Sequence, residues 1–185
     1  MVFCGFVSAY DTVSLTPASV ATPALAAPAG GVVPFVAVCA VCGVVAAVVM
    51  DFPMARQAEG FTPAYVAASV LARSRPSSVA FRGAFAVHHA AGGAAGVLYA
   101  LLYLPAAGVL PGVATVGGVG SVPHLVATLG VSGFIYAFFA HLVLPRRGRG
   151  IYEERATAVR GQWLRSVVVF GATVAAAVPA ATSAL

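Results

Sequence analysis

The residues best suited to chemistry in this sequence are three histidines and one aspartate that lie in or beside long apolar runs. His88 and His89 are adjacent in "AFAVHHAAGGAAGVLYALLY" (84–103), Asp51 ends one apolar run, and His141 lies near the end of another. Such groups can bind a metal ion, ligate haem iron or pass protons. The spacing selects none of these chemistries, because adjacent residues on a helix point about 100° apart and cannot easily share one centre.

The composition indicates the solvent in which these groups must work. Of the 185 residues, 61% are hydrophobic and 8% are charged, whereas soluble domains contain roughly 25% charged residues. The mean hydropathy of +0.97 agrees. A compact chain of this size cannot hide so much apolar surface from water, so the sequence predicts an integral membrane protein.

Four apolar runs are long enough to cross a hydrocarbon core of about 30 Å. The first stops at Asp51 and the third stops at Pro145, so charge and proline are expected to mark the helix ends. The predicted fold is an all-α bundle of four transmembrane helices in residues 31–185, preceded by an extended outer segment at 1–30. The predicted spans are approximately 31–50, 83–104, 123–144 and 163–182.

All ten basic residues are arginines, and they lie in, or at the edges of, the two loops that follow the first and third spans. Because cytoplasmic loops carry an excess of arginine, we predict a cell-membrane protein with both basic loops in the cytoplasm and both termini outside. Arg146, Arg147 and Arg149 are expected to hold anionic lipid headgroups, which explains the basic charge without a nucleic-acid partner.

The histidines lie at a definite depth in the predicted membrane. Counted from the nearest arginine, His88 and His141 both lie about 7 to 9 Å into it, on the side where Asp51 ends its span. We therefore predict a polar cluster of Asp51, His88, His89 and His141, whereas His124 belongs at the outer interface. Function is the default hypothesis for such residues, and the favoured alternative is hydrogen bonding across helices.

Small residues suggest where helices approach each other. Gly92 and Gly96 continue the helical face of His88 and predict a seam for close packing. Cys39 and Cys42 form a CxxC, but they lie near the middle of the first span, where a reactive thiolate is not favoured. We interpret both cysteines as packing residues.

The first basic loop contains the most distinctive stretch of the chain. A short interfacial helix is predicted there, beginning at Thr62 and Pro63 and ending near Arg73. The stretch "MDFPMARQAEGFTPAYVAASVLARSRP" (50–76), together with "HHAAGG" (88–93), resembles small multi-span integral membrane proteins of archaeal type. That resemblance implies a four-span fold and carries no named activity.

Enzyme motifs of the GxSxG, Walker A, HExxH and dinucleotide-binding types do not occur, so an enzymatic role is not favoured. The leading interpretation is a structural or accessory membrane subunit without a cofactor, which contacts the anionic bilayer and a membrane-protein partner or a second copy of itself. One alternative is proton or ion transport through Asp51, His88 and His141. Another is a redox membrane protein that binds haem or a metal ion through the same histidines.

Overall fold

The computed structural model describes residues 30–147 and 149–184 of the chain. The predicted outer segment at 1–30 lies almost wholly outside these residues. The described elements, in chain order, are α1 (Val32–Ala55), α2 (Thr62–Leu71), α3 (Phe81–Val109), strands β1 (Thr115–Val116) and β2 (Val119–Gly120), α4 (Ser121–Ala137), α5 (Leu144–Arg147) and α6 (Arg149–Thr182).

Within residues 30–147 and 149–184, four helical segments are long and apolar enough to cross a membrane, which confirms the predicted all-α fold. A π-helical stretch, Phe138–Val143, joins α4 to α5 so that Ser121–Arg147 forms the third of them. The others are α1, α3 and the Glu154–Thr182 part of α6. Many of their valine and leucine side chains are exposed, as expected for surfaces that face lipid. This is the architecture of a multi-pass membrane protein.

The helices continue past the predicted ends of the spans. α1 passes through Asp51 and Pro53 and ends at Ala55, and the third segment passes through Pro145. Proline removes one backbone hydrogen bond, a loss that a helix tolerates near its end, and one carboxylate does not stop a helix. The expectation that Asp51 and Pro145 mark helix ends is therefore wrong.

Most of the second basic loop is also helical. α6 begins at Arg149 and has a kink at Arg155, where φ is −130° and ψ is 22°. Arginine, glutamate and alanine are good helix formers, so a high density of charge does not by itself indicate a connecting loop. Within this helix Trp163 is only 5% exposed, and its ring centroid lies 5.2 Å from that of Phe139.

α1 packs on α3 through a glycine seam that consists of Gly43, Gly92 and Gly96. A Cβ atom added to Gly96 would lie 2.7 Å from the carbonyl carbon of Cys39, and one added to Gly92 would lie 2.8 Å from the carbonyl oxygen of Gly43. No real Cβ atom fits at such distances, so the two backbones are in direct contact. α1 thus lies on the face of α3 where Gly92 and Gly96 were expected to admit another helix.

The two strands form a hairpin whose turn requires glycine. Gly117 and Gly118 have φ values of 56° and 83°, which suits a two-residue hairpin turn. The Thr182 hydroxyl donates to the Gly117 carbonyl, and the Gly120 N–H donates to the Tyr103 hydroxyl at 2.9 Å. These bonds attach the hairpin to α6 and α3. We call this end of the bundle the hairpin end, and the opposite end, which holds α2, the arginine end.

Candidate functional site

Asp51, His88 and His89 meet at the arginine end of the contact between α1 and α3, and we call them the Asp–His cluster. Asp51 Oδ1 lies 3.3 Å from His88 Nε2, and Oδ2 lies 3.1 Å from His89 Nε2. The three side chains are largely buried, with 20%, 8% and 17% exposed respectively. Gly92 lies one turn after His88 on the same face of α3, so the glycine seam holds the two helices close enough for these contacts.

Both histidines reach one carboxylate although their side chains leave α3 in different directions. The two rings are nearly perpendicular, with an interplanar angle of 83° and centroids 5.2 Å apart. Because the carboxylate comes from another helix and has two oxygen atoms, each ring contacts a different one. The expectation that adjacent histidines cannot easily share one centre does not hold for such an acceptor.

The hydrogen bonds of His89 indicate how many protons the cluster holds. Nδ1 lies 2.9 Å from the carbonyl oxygen of Phe85, which can only accept, so Nδ1 carries a hydrogen. Nε2 faces an oxygen of Asp51. A neutral imidazole has one donor and one acceptor, so this second contact would oppose two lone pairs. The His89–Asp51 contact is therefore complementary only with one additional proton, on the ring or on the carboxyl group.

His88 uses its Nε2 atom differently. Nε2 lies 3.3 Å from the carbonyl oxygen of Ala47 and donates to it. Oδ1 of Asp51, at the same distance, is buried and makes no hydrogen bond with any residue in the described chain. His88 is thus close to Asp51 without a hydrogen bond to it, and Oδ1 is free to accept a hydrogen bond from another donor.

Aromatic rings surround the Asp–His cluster toward the arginine end. The ring centroid of Phe85 lies 4.2 Å from that of His89, and Phe61 lies edge-on to His88 at 6.5 Å. Phe81 packs against Phe61 at 5.5 Å. Because these rings reduce the access of water, charges within the cluster interact more strongly than they would in bulk solvent.

The structure places His141 apart from the other three members of the predicted cluster. Its side chain is exposed, and its ring centroid lies 6.0 Å from that of Tyr136. His141 lies in the π-helical stretch, whose wider turns alter the directions in which side chains leave the helix. The predicted cluster is therefore corrected to three residues, because equal depth does not guarantee a common face.

The donor set of the cluster suits a proton better than a metal ion or haem. Within the described residues, no three His, Cys, Asp or Glu side chains have the arrangement of a metal site. Nε2 of His88 bonds to the Ala47 carbonyl and Nε2 of His89 faces the Asp51 carboxylate, so the two rings do not converge on one metal ion. Both histidines lie on α3, so they do not offer haem iron one ligand from each of two helices. Cys39 and Cys42 are buried free thiols.

An apolar groove of about 660 Å³ lies beside the cluster. α2, α3 and the α4–α5 segment line it, with His88 in one wall and Trp163 of α6 in another. Arg146 and Arg147 also line the groove and are exposed at the arginine end. Arg149, the third expected headgroup ligand, begins α6 two residues further along the chain.

Sequence reasoning missed a charged contact between the loop after α1 and the first turns of α6. Arg155 Nη1 donates to Glu59 Oε1 at 2.7 Å, and the Thr62 hydroxyl, expected to cap α2, donates to Oε2. The Glu59 N–H donates to the Gln162 side chain at 2.8 Å. The hydrogen bond from Arg155 holds the pKa of Glu59 below its ordinary value. Nothing in the sequence pairs two residues 96 positions apart.

Acidification is expected to weaken this contact. A carboxyl group whose pKa is lowered by folding stabilises the fold fully above its unfolded pKa of about 4.3, and that stabilisation is lost as the pH falls through the lower folded pKa. The unfolding temperature of the wild type in detergent should therefore fall more steeply below about pH 4.5 than that of Glu59→Gln. The difference should be modest because Arg155 is 61% exposed. Parallel curves would contradict the prediction, and Arg155→Gln should resemble Glu59→Gln.

A second missed contact lies toward the hairpin end and involves His124, which stands outside the predicted cluster. His124 Nε2 donates to the Ala175 carbonyl at 3.1 Å, so Nδ1 accepts the hydroxyl hydrogen of the fully buried Tyr99. Ala175 precedes Pro179 by four residues, and proline has no N–H for that carbonyl. His124 thus supplies the bond that Pro179 cannot. In the sequence, the only indication of this contact was a proline within a predicted span, which leaves one backbone carbonyl in need of another donor.

No family model, curated protein or solved structure matches this chain. The function is therefore inferred from the site itself. That site is a largely buried carboxylate near two imidazoles, beside an apolar groove that ends at two arginines.

Proposed function

We propose that this chain is a proton-linked membrane protein in which the Asp–His cluster takes up and releases one proton as part of a relay or coupled transport. The observation that carries the proposal is that both ring nitrogens of His89 face oxygen atoms. This arrangement is satisfied when one additional proton is present and is unsatisfied when it leaves. Two such states are what a proton relay inside a membrane requires.

The proton count can be measured by nitrogen NMR of histidine-labelled protein. In the wild type, Nδ1 of His89 should give a signal of the protonated type, and Nε2 should do so as well where the ring, rather than Asp51, carries the additional proton. Asp51→Asn should convert Nε2 to the bare type, because a neutral amide can donate to it while Nδ1 keeps its bond to Phe85. His141→Gln removes an exposed histidine and should leave the His89 signals unchanged. A bare Nε2 beside an ionised Asp51 carboxylate, read from the carbon signal of its carboxyl group, at every pH would overturn the proposal.

Proton movement across vesicles separates this proposal from the accessory-subunit alternative. Vesicles that contain the wild type and an internal pH dye should dissipate an imposed pH difference faster than protein-free vesicles. Asp51→Asn and His89→Gln should reduce the rate to the protein-free background, and His141→Gln should retain it. An accessory subunit that does not use the cluster would give the same background rate for the wild type and all three variants.

We also propose that the arginine end faces the cytoplasm and that both termini lie outside. The support is that all ten arginines lie in, or next to, the two connections at this end. Trypsin cleaves after arginine, so it should cut the protein in inverted vesicles and spare it in intact cells. Cleavage from outside intact cells would reverse the orientation. Kinship with four-span membrane proteins of archaeal type stays a prediction.

A further inference from the structure

The groove beside the cluster has the two-part chemistry of a site for an amphiphile. Its lining is almost entirely apolar, with Leu98, Phe134 and Phe138 among the larger side chains. Only at the arginine end does the lining become cationic, where Arg146 and Arg147 contribute two guanidinium groups. A ligand complementary to this surface has a hydrocarbon part and an anionic group at one end.

The dimensions of the groove match one hydrocarbon chain in one leaflet. Its lining residues on the α4–α5 segment extend from Phe134 to Arg147, which is about 20 Å at 1.5 Å per residue. That length exceeds half of a hydrocarbon core of about 30 Å. The volume of about 660 Å³ lies within the range of roughly 300–1,000 Å³ that is typical of small-molecule sites.

Trp163 provides an independent indication of a ligand. It lines the groove and is 5% exposed, yet its Nε1–H has no acceptor within the described chain. A buried indole N–H usually finds a hydrogen-bond partner. Trp163 packs on Phe139, which lies seven residues, or about 10 Å, before Arg146 along the helical segment. An acceptor for the Trp163 Nε1–H would therefore lie deeper in the membrane than an anionic group that contacts Arg146 and Arg147.

We propose that this groove binds one anionic phospholipid of the surrounding bilayer. The phosphate contacts Arg146 and Arg147, an ester carbonyl accepts the hydrogen of Trp163 Nε1, and one acyl chain fills the apolar groove. A transmembrane helix of a partner fits less well, because its backbone carbonyls are already bonded within the helix and are not free to accept the hydrogen of Trp163 Nε1. The inference is independent of proton binding by the Asp–His cluster.

The single tryptophan of the chain allows a direct test. Phospholipids with brominated acyl chains quench tryptophan fluorescence on contact, and Trp163 is too buried to meet a chain outside the groove. In phosphatidylcholine vesicles, brominated phosphatidylglycerol should quench Trp163 saturably and at a lower mole fraction than brominated phosphatidylcholine does. The double variant R146Q/R147Q should raise the half-saturating fraction of phosphatidylglycerol roughly tenfold or more.

Two further variants make the outcomes decisive. R73Q/R75Q removes two arginines at the same end that lie outside the groove, and it should keep the wild-type preference. Ala67→Leu narrows the groove at a half-buried position without changing charge, and it should weaken quenching by both lipids alike. The proposal is overturned if the wild type shows equal quenching by both lipids or none. It is also overturned if R73Q/R75Q weakens the preference as much as R146Q/R147Q, because the attraction would then be diffuse.

Discussion

Gly96→Ala is expected to destabilise the protein by roughly 1–3 kcal/mol, although it adds only one carbon atom. The added Cβ would overlap the backbone of Cys39 on α1, and a backbone cannot move aside as a flexible side chain can. The two helices would have to separate along the whole glycine seam. Because the seam holds Asp51 against α3, the same substitution should lengthen the contact between Asp51 and His89 and alter the His89 nitrogen signals. Gly96→Leu should prevent the close packing altogether.

Gly133 provides the matched control for this prediction. It lies in α4, and a Cβ added there would meet nothing within 4 Å. Gly133→Ala should therefore leave stability unchanged or raise it by up to about 1 kcal/mol, because alanine is the better helix former. Thermal or denaturant unfolding in detergent measures both variants. Equal effects of the two substitutions would show that helix propensity, and not the contact of backbones, governs this position.

His124→Leu is expected to cost roughly 2–4 kcal/mol, because it leaves the buried Tyr99 hydroxyl and the Ala175 carbonyl without their partners. The Tyr99 hydroxyl loses its acceptor, and the Ala175 carbonyl loses the donor that replaces the missing N–H of Pro179. Tyr99 is fully buried, so its hydroxyl cannot turn to water for compensation. Leucine fills a similar volume, so the loss should reflect hydrogen bonding more than packing.

A double-mutant cycle with Pro179→Ala isolates the backbone part of this effect. Alanine at position 179 restores an N–H that can reach the Ala175 carbonyl. In the wild type, Pro179→Ala should be neutral or mildly destabilising, since the carbonyl is already bonded to His124 and the proline ring is buried. In His124→Leu it should recover roughly 1–2 kcal/mol. Additive effects of the two substitutions would show that the histidine does not compensate for the proline.

The sequence was sufficient for the spans because membrane insertion depends on length and composition, which any window of the chain contains. It also predicted that Asp51, His88 and His89 lie at a similar depth in the membrane, since distance along a helix is proportional to residue number. It failed for His141 because the direction of a side chain depends on an unbroken helical register, and the π-helical stretch interrupts that register. The depth of each side chain in the membrane was therefore predictable, whereas the direction in which His141 leaves its helix was not.

The missed contacts share a different cause. Glu59 pairs with Arg155, and His124 bonds to Tyr99 and Ala175, only because separate helices come together in the folded chain. Composition and periodicity describe single segments and do not specify which segments become neighbours. Of these contacts, only the unpaired carbonyl four residues before Pro179 could have been inferred beforehand, and its partner could not.

The arginine end also gives the molecule a permanent electrical polarity. In a membrane with a potential that is negative inside, moving one elementary charge across 100 mV costs about 2.3 kcal/mol. If the arginine end faces the cytoplasm, as proposed, turning the bundle over would carry several guanidinium groups against that field, so an inserted copy is expected to keep its direction. Two copies that meet in one membrane should therefore lie parallel, and antiparallel pairing should not occur.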